Sequence, residues 1–231
     1  MAVIDYARFS RILLRCDEVA EEPGMKASVV LVYQKVLGPV LKTYLSADDA
    51  VTAAESSFGK ENHEASAALQ GLDRLYREAR SVAAAFVAGV VLPDTLKSQR
   101  TDTDKISAIE DLIGIIDEHA GEAWADALAQ GPFGKKGPET IKEILEAVEA
   151  NKDLTEARME RAAAYGPAYE AYLKFKRVVR DALGPTSKQY KRIHFRDPNG
   201  PTKGEGTPIN NGAPAPAGGA GNVPAGGPPP A

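Results

Sequence analysis

A chain of 231 residues, 43% hydrophobic and 26% charged, has the make-up of one globular domain with room for an appendage. Its net charge of −4 conceals a split: residues 174–196 hold eight Lys/Arg and a single acid, Asp181, while residues 1–173 sum to −10. The lone Cys16 rules out an intramolecular disulfide, and the longest uncharged apolar run, Ser81 to Pro93, has 13 residues, short of the ~20 that cross a bilayer.

The first helix is predicted over 3–21, with Tyr6, Phe9, Leu13, Cys16 and Ala20 recurring at steps of three and four until Pro23-Gly24. Asp5, Arg8 and Arg11 interrupt any apolar leader, so a cytoplasmic protein without a signal peptide is expected. A second helix, 25–57, carries Val29, Val32, Val36, Val40, Tyr44, Val51, Ala54 and Phe58 on one side. Gly38-Pro39 should kink or split it, because proline lacks a backbone donor and crowds the preceding turn, and Gly59 reads as its stop.

The third helix, 61–92, keeps an unbroken stripe of Ala65, Ala68, Leu72, Leu75, Ala79, Val82, Phe86 and Gly89, ending at Pro93. A polar connector leads to a fourth, 104–130, with Ile106, Ile109, Ile113, Ile116, Ala120, Ala123 and Ala127 on one face and Thr103 or Asp102 as the expected cap. GPFGKKGP (131–138) reads as a solvated turn, so the fifth helix should begin at Pro138. It then runs to Leu183 with an interruption at Gly166-Pro167, and presents a ladder of Tyr165, Tyr169, Tyr172 and Phe175.

No segment alternates apolar and polar residues between turns. The expectation is therefore all-α: an elongated up-and-down antiparallel helical bundle of about five helices occupying 1–196. From Asp197 to Ala231, nine Pro and nine Gly in 35 residues leave too little apolar surface to offset chain entropy, so a disordered tail is expected.

Site chemistry is sparse. A zincin would need a second histidine four residues after His63, and that position is Ala67; a di-iron bundle would need a Glu three residues before His119 or His194, and these positions are Ile116 and Lys191. Cys16 falls within an apolar stripe and reads as packing. GPFGKKGP lacks the spacing of a phosphate loop. No catalytic, metal or cofactor residue is assigned, and no small-molecule substrate is inferred.

The basic-aromatic segment is the most suggestive surface, with Lys188, Tyr190, Lys191, Arg192, His194, Phe195 and Arg196 as candidate interaction residues. Docking on the acidic bundle or on a protein partner is preferred to nucleic acid, which the acidic body would repel. The functional expectation is a non-enzymatic protein–protein interaction or scaffold protein, self-association included. Two alternatives are nucleic-acid binding through 188–196 and a membrane-active, pore-forming-like bundle that opens and inserts its third helix; no stable membrane insertion is expected of the closed bundle.

Overall fold

A computed structural model describes residues 5–194; the tail expected at 197–231 lies outside the described residues. All regular structure among these residues is helical. In chain order come α1 (Tyr6–Ala20), α2 (Ala27–Val32), a π-helical turn (Tyr33–Leu37), α3 (Gly38–Phe86), a 3₁₀ turn (Leu96–Ser98), α4 (Asp102–Glu118), α5 (Ala123–Gln130), α6 (Pro132–Leu183) and α7 (Lys188–Arg192). The all-α bundle expected from periodicity is the fold found.

Two helices form the spine. α3 has 49 residues and α6 has 52, so each is about 75 Å long at 1.5 Å per residue. They run antiparallel: Tyr44 meets Tyr165, Asp48 meets Arg161, Glu55 meets Arg158, and Tyr76 meets Phe133. Shorter helices cover the two ends of this spine and leave its middle as a helix pair.

The core is accordingly divided in two. A terminal lobe gathers Phe9, Leu13, Cys16, Val29, Leu41, Tyr44, Tyr172, Phe175 and Ile193 from α1, α2, α3, α6 and the residue after α7. A distal lobe gathers Leu72, Tyr76, Leu96, Ile109, Leu112, Trp124, Phe133 and Ile144 from α3 to α6. Between them only a narrow seam is buried, with Val51, Ala150 and Leu154 as its members.

Several expected boundaries are corrected. Gly59 does not stop a helix; α3 passes straight through it. The apolar stripe stays in phase across the glycine, from Val51 through Phe58 to Ala65, and that packing outweighs the roughly 1 kcal/mol that an interior glycine costs. The third helix ends at Phe86, not 92, because Gly89 (φ 81°) turns the chain. The fourth is broken at Gly121 (φ 95°) into α4 and α5.

The expected turn at 131–138 is also helix. α6 begins at Pro132, and both Pro138 and Pro167 lie within it. Gly134 explains how so abrupt a start is possible: a Cβ there would lie 2.0 Å from the Ala129 carbonyl oxygen. Gly137 is buried against Ile109 and Ile113 and lets α4 approach α6 closely.

At Gly38-Pro39 the sequence expectation holds in a particular form. Pro39 has no N–H and its ring would crowd the carbonyl of Lys35 in a regular α-helix. The preceding turn widens to π geometry, with the Gly38 N–H donating to the Tyr33 carbonyl five residues back.

Candidate interaction surfaces

The basic C-terminal segment closes the terminal lobe. Gly184 (φ 90°) ends α6, Ser187 accepts from the Tyr190 N–H to cap α7, and Ile193 is fully buried. The Tyr172 hydroxyl donates to the Ile193 carbonyl at 2.8 Å. Arg192 pairs with Glu18 of α1 and with Glu22 in the turn after it, and Gln189 donates to Glu22 at 2.9 Å.

The candidate residues therefore divide. Arg192 is engaged within the molecule, Tyr190 is half-buried against the core, and its ring meets that of His194 at 5.6 Å. Lys188 and Lys191 face solvent. Phe195 and Arg196 lie outside the described residues. Upstream, Lys174 and Arg177 are exposed, whereas Lys176 is half-buried, and burial together with the nearby Arg180 charge lowers its pKa.

The Tyr165–Phe175 ladder is core. Phe9 inserts among Tyr44, Tyr165, Tyr169 and Tyr172 with ring centroids 4.9–6.0 Å apart, mostly edge-on. A polar cluster rims it. Ser10 donates to Asp48 at 2.6 Å, Arg161 reaches Asp48 at 3.0 Å, and the Arg161 guanidinium lies 4.2 Å over the Tyr6 ring. Three helices, α1, α3 and α6, are locked together there.

Cys16 is fully buried, and burial with the neighbouring Asp17 charge drives its thiol pKa strongly upward, so it is held neutral. His63 is exposed on α3, and His119 shares a 2.8 Å hydrogen bond with Glu122 at the end of α4. Glu61, Glu143 and Glu146 bring carboxylate oxygens within 4.8 Å of one another. Lys60 lies 3.1 Å from Glu61 and Lys142 lies 3.3 Å from Glu146, so protein cations already meet this charge.

Among the open recesses along the spine are these two. One of about 450 Å³ lies beside the 3₁₀ turn, with Ser66, Gln70, Lys97 and Lys105 around it; Lys105 pairs with Asp102 at 2.7 Å. The other, about 710 Å³, is lined by Thr43, Ala47, Ala50, Ala163 and Ala164, with Glu160 as its charged member.

The distal tip was not legible from periodicity. Phe86, expected in the core stripe, is 63% exposed and stacks on Trp124 at 5.4 Å, while Val91 is 94% exposed. Trp124 is nearly buried and donates to Glu122 at 2.6 Å. Gly89, between the last helical turn and Pro93, was the available sign that residues 87–92 leave the helix.

Beneath the tip, buried Asp73 clamps the connector to α3. Its carboxylate accepts from the Thr95 hydroxyl and from the Leu96 N–H (3.0 Å), and lies 3.4 Å from Arg77. Burial pushes its pKa up, but Thr95, Arg77 and the amides of Leu96 and Lys97 prevail and hold it below the usual carboxylate range.

Fold and surfaces together define an all-α, two-lobed helical bundle. Compared with protein-family models, with curated proteins and with solved structures, the chain matches none.

Proposed function

We propose that this chain is a non-enzymatic interaction or scaffold protein of the cytoplasm, a helical rod that holds partners on its surface. The observation that carries this reading is the set of large apolar side chains left uncovered outside both cores. Phe86 (63%), Val91 (94%), Leu31 (56%) and Met159 (61%) are more than half exposed and spread over both lobes and the narrow middle. Polar groups buried in the interior support it too, since Asp73 fastens the connector to α3 and Ser10 joins α1 to α3.

The test is a photo-reactive residue placed at Phe86 or at Met159 of the full chain in its native cells. Discrete cross-linked species containing a second chain are expected from at least one position. Adducts confined within a single chain at both positions would refute an interaction role.

A second reading, binding to a phosphate backbone, draws on the exposed Lys188 and Lys191. It predicts binding to duplex DNA that weakens steeply with salt and is lost in K188E/K191E. Arg192, already paired with Glu18 and Glu22, contributes little to it. Among the described residues no helix is long and apolar enough to cross a membrane.

A further inference from the structure

We propose that copies of this chain associate end to end, the acidic distal lobe of one docking on the basic terminal lobe of the next. This names the partner in the interaction reading and rests on it. The folding of the spine creates the polarity. Residues 5–45 and 166–194, distant in sequence, meet in the terminal lobe and together carry thirteen Lys/Arg against seven Asp/Glu. The remaining described residues, 46–165, carry thirteen against twenty-three.

The polarity is sharpest in two segments. Residues 106–134, spanning most of α4, all of α5 and the start of α6, hold six acids and no Lys/Arg. Residues 174–194 hold seven Lys/Arg and one acid. Lobes at opposite ends of a spine about 75 Å long are separated by many Debye lengths, about 10 Å at 0.1 M salt, so neither lobe screens the other within one molecule. Each meets a partner with its own local charge.

Two observations mark these segments as contact surfaces. α4 ends in Asp117 and Glu118 with no cation in its last turn, although the helix dipole favours the opposite sign there. An incoming Lys or Arg relieves that local conflict. Each segment also adjoins exposed apolar surface, Phe86 on Trp124 in the distal lobe and Leu173 beside Lys174 and Arg177 in the terminal lobe. An apolar patch with a charged border is what a specific docking site requires. The contact joins unlike surfaces, so it propagates into open chains instead of closing a dimer.

The experiment is sedimentation velocity on the full chain at 10–200 µM, in 50 and 500 mM NaCl, with two charge-reversed variants. E110K/D117K/E118K alters exposed acids of α4, and its two terminal lysines suit the dipole, so folding is retained. K174E/R177E/K191E alters exposed cations of α6 and α7. Circular dichroism confirms helicity in both. The wild type should form concentration-dependent oligomers at low salt that weaken at least about tenfold at high salt. Each variant alone should stay monomeric, and an equimolar mixture should associate again into pairs, because one keeps the basic terminal lobe intact and the other keeps the acidic distal lobe intact. A wild type monomeric at 200 µM in low salt, oligomers indifferent to salt, or a mixture that stays monomeric would each overturn the proposal. None of these would touch the photo-cross-linking result to a different protein, so failure here and failure of the interaction reading are separable.

Discussion

The Tyr172 hydroxyl and the Ile193 carbonyl are joined across 21 residues by a buried hydrogen bond of 2.8 Å. It ties the last described turn of the chain to the middle of the aromatic core, and Arg192 beside it reaches α1 through Glu18 and the turn after α1 through Glu22. A buried acceptor that loses its donor is costly, so Tyr172→Phe should destabilise the protein by about 1–3 kcal/mol. Trypsin cleavage after Lys188 and Lys191 should become several-fold faster while the distal lobe keeps its protection. Unchanged cleavage would show that α7 is held by other contacts.

The aspartate clamp under the distal tip has a pH signature. Because the folded state holds the Asp73 pKa below its unfolded value, its stabilisation is present above the unfolded pKa and is lost as pH falls through the folded one. Asp73→Asn should lower stability at pH 7 and flatten the acid limb of the stability curve below about pH 4. Urea midpoints measured between pH 3 and pH 7 report both effects. A wild type and a variant with parallel acid limbs would assign the acid lability elsewhere.

At the alkaline end, burial raises the pKa of Tyr44 to about 12, with Ser10 partly opposing it, and burial likewise raises Tyr76 to about 12. Both folded values exceed the ordinary 10, so the stabilisation is complete below pH 10 and disappears as pH climbs to 12. Tyr44→Phe and Tyr76→Phe should each retain more of their stability at pH 11.5 than the wild type does. Ultraviolet titration should show Tyr44 and Tyr76 among the tyrosines that ionise above the ordinary range.

The glycines of the long helices divide by their surroundings. Gly59 and Gly166 face open space, so Gly59→Ala and Gly166→Ala should each stabilise by about 1 kcal/mol through helix propensity. Gly134→Ala meets backbone at 2.0 Å and should instead disrupt the α5–α6 junction. Thermal midpoints that rise for the first pair and fall sharply for the third are the expected pattern. A fall for Gly59→Ala would indicate that α3 is bent there.

Much of the architecture was legible because a helix that buries one face must repeat its apolar residues every three to four positions. Val51, Phe58 and Ala65 keep that phase across Gly59, and it was the glycine, weighed as local punctuation, that misled. Pro138 misled in the same way, since its first-turn preference is local while the start at Pro132 depends on Gly134 fitting against Ala129. The candidate surface was legible only as composition. That Lys188 and Lys191 face solvent while Arg192 turns onto Glu18 is a matter of helix rotation and of which acids lie opposite.

Residue order alone thus specifies helices, their buried faces and the basic character of 174–194, because each depends on neighbours within a few turns. The pairing of Asp48 with Arg161, the exposure of Phe86 and the gathering of 5–45 with 166–194 depend on the antiparallel registration of α3 and α6. Segments more than a hundred residues apart acquire a shared environment only when the spine closes, and no local periodicity encodes which will meet.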